Sequence, residues 1–344
     1  MTQSISLRSI SSLTSALIAT IICVQMFEAK QVDIPIECLN ETKTSSDYNV
    51  FDFFLSYNET QEWLTLLATE YPDKCQLQTI GQSTEGREIN AISIYNDQPN
   101  KIILIGSLYA REWVGMTSSI YIIHELIRSS ARYPDANKFQ WIIVPMPNPD
   151  GYEYSRQHNR NWMKNRSPQQ DGNIGVCLDT NFDVQWGGGI SDTFIKTTGS
   201  WYRGPAPFSE PETRAIKELM ESHTNVTLLI HLQGIGRLIF TPWAYKDDPI
   251  PNIDLVHAVA NAGRNAIMQE SQHEFDIGIL SDYAPFQYGT CVDYCNLIGI
   301  SVCLSLRQLD GTYEMMTDEI IPLGQEALAA IQAMAIESNW QQWP

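Results

Sequence analysis

Positive charge is what this chain has least of: 22 Lys and Arg stand against 40 Asp and Glu, for a net charge of -18. A surface of that sign repels phosphate backbones and anionic lipid, which excludes nucleic acid as a partner class. Long apolar runs are scarce as well. Beyond the N-terminal stretch nothing reaches the ~18 uncharged apolar residues that a spanning helix needs, so no membrane span is expected. There is no Cys-x-x-Cys pair to nucleate a zinc knuckle. Internal repeats, low-complexity tracts and linker-like composition are also missing, which favours one domain over an array or a multidomain chain.

What is present suits a folded, exported protein. Of 344 residues 43% are hydrophobic, with 9 Trp and 15 Tyr, enough for a sizeable core. Residues 1–29 read as a signal peptide, with Arg8 as the positive start and a short apolar stretch from Leu13 to Met26. Cleavage is expected between Cys23 and Ala29, and the mature protein is expected to be secreted and extracellular. Cys38, Cys75, Cys177, Cys291, Cys295 and Cys303 then remain, a number that suits disulfides but does not choose their pairing. Asn40, Asn58, Asn165 and Asn225 each begin an Asn-x-Ser/Thr sequon, so a glycoprotein is expected; Pro168 weakens the third.

Strand-like and helix-like segments alternate after residue 50, which predicts an α/β domain with a mixed, mainly parallel sheet flanked by helices. Strands are expected over 89–94, 101–105, 141–146, 227–232, 237–240 and 300–306, as near-continuous apolar runs covered on both faces. Helices are expected over 60–70, 114–130, 210–223, 253–270 and 323–337. Ser209 and Glu212 have capping-box spacing around Pro211. The long segment 147–208, rich in Gly, Asn, Asp and Trp, has the length of a functional loop.

Five stretches carry a resemblance. They are Gly81-Gln82-Ser83-Thr84-Glu85-Gly86-Arg87, Ala110-Arg111-Glu112-Trp113, Asn148-Pro149-Asp150-Gly151-Tyr152, Asn159-Arg160-Asn161-Trp162, and Tyr202-Arg203-Gly204-Pro205 running into Phe208-Ser209-Glu210-Pro211-Glu212. In order and spacing the chain resembles the zinc metallocarboxypeptidases of the carboxypeptidase A/B type. The resemblance implies that family's single-domain α/β/α fold over residues 48–344. Active members usually carry an inhibitory prosegment of domain size, whereas residues 30–47 here form only a short polar segment.

The resemblance also implies a set of site positions, and most are changed. The family's three zinc ligands fall on Tyr109, Glu112 and His231, so the first histidine is replaced by a phenol. A phenol must lose a proton of pKa near 10 to bind metal, so zinc is expected to be weak or absent. Asp179 stands where the family orients that histidine. The general-base glutamate falls on Ser305, or on Leu306 if the alignment shifts by one; neither accepts a proton near neutral pH. The arginine that polarises the scissile carbonyl falls on Met163, and the Asn-Arg carboxylate clamp falls on Asn181-Phe182. Arg111 remains beside Glu112 and could hold an acidic group. The mobile tyrosine falls on Tyr283 or Tyr288, and the pocket-floor residue on Val292.

Taken alone, Glu112 reads as a first-turn helix glutamate and His231 as a structural histidine at a strand end. With the surrounding motifs they mark where the metal would be. The resulting expectation is a secreted metallocarboxypeptidase homologue without peptidase activity that binds a peptide or protein ligand in the former cleft. The alternative is an active or weakly active zinc enzyme releasing apolar C-terminal residues.

Overall fold

A computed structural model of the chain describes residues 43–282 and 286–339. The signal peptide, Cys23, Cys38, the Asn40 sequon and Tyr283 lie outside the described residues. One compact unit begins at Thr44, slightly before the expected boundary at 48.

Among the described residues eight strands form one sheet: β1 (Cys75–Gln82), β2 (Glu88–Ile94), β3 (Lys101–Ile105), β4 (Gln140–Val144), β5 (Val226–Ile235), β6 (Leu238–Thr241), β7 (Asp276–Ile279) and β8 (Val302–Leu309). Their order is β1-β2-β4-β3-β5-β8-β6-β7. The central run β4-β3-β5-β8 is parallel, and the antiparallel pairings lie towards the two sides. From β3 the chain continues to β4 on one side and later to β5 on the other. That reversal between β3 and β5 is a topological switch point, where α/β sheets place sites beyond their C-terminal strand ends.

The main helices are α1 (Tyr57–Glu70), α2 (Val114–Arg128), α3 (Pro149–Gln157), the short α4 (Asp192–Ile195), α5 (Pro211–Ser222), α6 (Ile253–Ser271), α7 (Cys291–Leu297) and α8 (Ile320–Ser338). Strand alternation sorts the core into two layers. Ile102, Leu104, Leu228 and Ile230 pack under α2, α6 and α8, whereas Ile103, Ile105, Leu229 and Cys303 pack under α5 and α7. Both faces are buried, which explains the near-continuous apolar strands. No helix among the described residues is long and apolar enough to cross a membrane.

Local chemistry sets several element ends. Ser56 caps α1: its N–H donates to Glu59 Oε2 at 2.8 Å, and its hydroxyl accepts from the Glu59 N–H at 3.2 Å. Asn148 caps α3 by accepting from the Gly151 N–H at 3.1 Å, with Pro149 at the first helical position. The capping box expected at Ser209 and Glu212 does not form. Glu210 is the N-cap, Ser209 Oγ donates to Glu210 Oε1 at 2.7 Å, and Glu212 accepts from the Thr84 N–H at 3.0 Å.

Cysteine and sequon chemistry are also resolved. Cys295 and Cys303 form a disulfide, while Cys75, Cys177 and Cys291 are buried free thiols. Asn165 is fully buried and donates to Glu210 and Glu212 at 2.8 and 3.1 Å, so its sequon cannot accept a glycan. Asn58 and Asn225 are exposed.

Candidate functional site

Tyr109 and Glu112 follow the C-terminal end of β3, and His231 lies within β5 opposite Ile105, the last residue of β3, so the three gather where the topology places a site. Each is buried. The Tyr109 hydroxyl donates to Asp179 Oδ2 at 2.8 Å, so the phenol spends its proton on a neighbour. Burial, then the nearby Asp179 charge, pushes its pKa well above the ordinary tyrosine value. A phenolate is thus disfavoured here. Glu112 Oε2 accepts from the Gly234 N–H at 2.7 Å and from Ser107 Oγ at 3.3 Å. Gly234 permits that approach, since a Cβ there would stand 3.1 Å from Glu112 Cγ. Burial raises the Glu112 pKa, and the Gly234 bond and Arg307 oppose it.

His231 faces N–H groups on both ring nitrogens. The Leu108 N–H points at Nε2 at 3.3 Å, and the Gln233 amide nitrogen lies 3.0 Å from Nδ1. A neutral imidazole has one lone pair to offer, and two donors compete for it. Burial, reinforced by Arg307, lowers the His231 pKa to about 3, so the ring stays uncharged at neutral pH.

Two residues that carried no role in the sequence reading organise this centre. Gln233 Nε2 donates to Asp179 Oδ2 at 3.1 Å while also reaching His231, and Arg307 Nε donates to Gln233 Oε1 at 2.8 Å. Asp179 completes its set by accepting from the Cys291 N–H at 2.8 Å, and burial raises its pKa to about 6 against these bonds. Strand period could have found both residues. His231 pairs with Ser305 and Gln233 with Arg307 in the β5–β8 register, so all four side chains stand on one sheet face.

The remaining positions are drawn into packing. Ser305 is fully buried and donates to the His231 carbonyl at 3.2 Å. Met163 packs against Tyr109, Cys177 and Trp201. Phe182 is fully buried, its ring centroid 5.6 Å from Phe208 and 5.9 Å from Tyr294. Asn181 is also buried; its amide donates to the Arg203 and Ala206 carbonyls and to Ser209 Oγ, and its oxygen accepts from Thr213 Oγ1 at 2.7 Å. It therefore pins the 203–213 segment and faces no open cleft. Val292 lies in the α7 core layer, where the expected pocket floor is packed rather than open. Tyr288 lies against Gly188 and Gly189, with its ring centroid 6.3 Å from Phe194. Among the described residues no group of three or more His, Cys, Asp or Glu is arranged to hold a metal.

Arg111 is separate from this network. It lines a cavity of about 510 Å³ together with Met163, Lys164, Arg166, Tyr154 and Trp162. Its guanidinium lies 4.5 Å from the Tyr313 ring centroid, and its buried Nε has no partner.

Comparison with known proteins places this geometry in context. The zinc carboxypeptidase family model matches residues 60–330. A zinc carboxypeptidase of Simulium vittatum is 27% identical over 292 residues, covering 82% of this chain and 95% of the relative. A protein of Schizosaccharomyces pombe named inactive metallocarboxypeptidase ecm14 is 28% identical over 318 residues, covering 81% of this chain and 62% of its own length. The crystal structure of a carboxypeptidase A from Helicoverpa armigera superposes with a TM-score of 0.80 at 25% identity, covering 89% of this chain and 78% of that one.

Proposed function

The chain belongs to the zinc carboxypeptidase family, and we propose that it is a secreted member which has lost peptidase activity and acts by binding. The observation that carries this reading is the commitment of Tyr109 and His231, two of the three candidate ligands, to internal partners. Tyr109 donates to Asp179, Glu112 accepts from Gly234, and His231 faces the N–H groups of Leu108 and Gln233. A zinc ion needs three free lone pairs converging on one point, and these residues do not fit it. The Gln233 amide, anchored by Arg307, instead bridges His231 and Asp179 as a neutral hydrogen-bond donor.

Chemistry that depends on activated water also lacks its parts. Ser305 cannot serve as a base, and its hydroxyl is already spent on the His231 carbonyl. Met163 and Phe182 bring no charge to polarise a carbonyl or hold a carboxylate. The purified protein, supplied with excess zinc, is expected to hold far less than one metal per chain and to release no C-terminal residue from hydrophobic or basic peptides. Metal analysis beside a peptide-release assay tests this. Stoichiometric zinc with turnover would sink the proposal. Restoring a ligand and the base through Tyr109→His with Ser305→Glu should yield no turnover, because the Gln233 amide and the missing arginines remain.

A further inference from the structure

We infer that the cavity walled by Arg111, Lys164 and Arg166 binds a peptide segment through Asp or Glu side-chain carboxylates. The inference rests on the binding reading above only in supposing that this chain has a ligand. In a chain of net charge -18, three cations line one cavity of about 510 Å³ whose wall, among the described residues, holds no Asp or Glu, although Asp171 accepts from the lining residues Asn173 and Thr197. Such clustering opposes the average sign of the surface.

Two of the three charges, those of Arg111 and Lys164, also lack an ion-pair partner among the described residues. Lys164 is only 8% exposed, and its Nζ donates to the Thr197 carbonyl at 2.7 Å. Among the described residues no carboxylate lies within ion-pair distance of Lys164 or Arg111. The Arg111 Nε is buried without a partner. Arg166 has its nearest carboxylate, Glu85, at 3.9 Å. A buried cation without a counter-charge costs free energy, and an incoming carboxylate recovers it through charge-assisted hydrogen bonds.

The wall also narrows the class of ligand. The Arg166 guanidinium lies 3.7 Å from the Tyr154 ring centroid and 4.8 Å from that of Trp162, and Lys164 Nζ lies 5.8 Å from the Trp162 centroid. These rings are engaged by cations of the protein, which counts against a saccharide stacking on them. A cavity of this size holds a few residues of peptide rather than one small ion.

The test uses the full chain and a fluorescent tetrapeptide with two central glutamates, acetylated and amidated so that no terminal carboxylate is present. Anisotropy should show saturable binding that weakens as salt rises. Replacing both glutamates by glutamine, or making Lys164→Met or Arg111→Met, should weaken binding on the order of thirtyfold or more. Circular dichroism checks each variant, and Arg111→Met decides the matter if Lys164→Met does not fold. Equal binding of the glutamine peptide, indifference to the protein variants, or binding of a sulfated disaccharide but not the peptide would each overturn the inference. Failure here leaves the loss of peptidase activity standing, and zinc-dependent turnover would leave this binding result standing.

Discussion

Two polar regions meet at Met163 and treat their charges in opposite ways. On one side, Tyr109, Asp179, Gln233, His231 and Arg307 form a continuous hydrogen-bonded set. On the other, Arg111 and Lys164 line a cavity without a carboxylate in ion-pair contact. A buried polar network held together by internal hydrogen bonds behaves as core and rigidifies the fold. A cluster of unmatched cations contributes no such stability, and its cost falls when a ligand arrives. The first region is therefore built as scaffold is built, and the second is the one our inference assigns to a ligand.

The largest expected effect breaks the first region at its one fixed charge. Arg307→Met removes the donor to Gln233 Oε1 and the positive charge that favours ionised Asp179 and Glu112. The loss should be about 3 kcal/mol or more, read as a lowered urea midpoint with an unchanged slope. A change below about 1 kcal/mol would mean that the network is ornamental to stability and would erase the contrast.

A pH series probes the same region without altering its shape. The His231 pKa is about 3, below its ordinary 6.5, so its contribution to stability is complete above pH 6.5 and is lost as pH falls towards 3. The Asp179 pKa is about 6, above its ordinary 3.8, so its contribution is complete below pH 3.8 and is lost as pH rises through 6. The two partly cancel in the parent. His231→Gln removes the first alone, so between pH 7 and 4 the variant should lose about 3 kcal/mol less than the parent. Parallel stability curves would show that His231 protonates freely in the fold.

A smaller effect follows at Tyr109. Tyr109→Phe keeps the ring against Trp201 and Met163 and deletes only the hydroxyl bonded to Asp179. A hydrogen bond to a charged acceptor is worth about 1.5–3 kcal/mol, and Gln233 and Cys291 still serve Asp179, so a loss near the lower end is expected. Combining Tyr109→Phe with Gln233→Leu should cost more than the two single changes together, because both deplete one carboxylate. Additive losses would show that the bonds are independent.

The sequence revealed these regions unequally. Continuous apolar runs marked the buried strands, and β3 falls on residues 101–105 as expected. The edge strand β1 mixes exposed and buried positions without strict alternation, and the short β7 is mostly half-buried, so neither shows the expected strand signal. Helix α7 is only seven residues long and sits against the core, which hides its period. At the candidate site, the framework of motifs is what assigned Tyr109, Met163, Phe182 and Ser305 their positions. Strand period places Gln233 on the face of His231 and Arg307 on that of Ser305, but the bonds that give them their roles arise only when β5 and β8 pair in register. The unmatched state of Lys164 was likewise hidden, since sequence does not show whether a lysine meets a carboxylate.

The smallest expected effect tests the second region through its sign. For a buried lysine in a structural role, truncation removes a partner and destabilises the fold. Lys164→Met instead exchanges an ammonium for an apolar side chain of similar length in a position that is 8% exposed. It removes one bond to the Thr197 carbonyl and the contacts with Trp162 and Tyr202. It also removes an unmatched charge whose pKa burial already holds below the ordinary lysine value. These terms oppose each other, so the unliganded stability should move by no more than about 0.5 kcal/mol and should not fall. A urea titration of parent and variant without peptide reads this directly. A loss of about 2 kcal/mol or more would place Lys164 in the scaffold with Arg307, and the two regions would then treat charge alike.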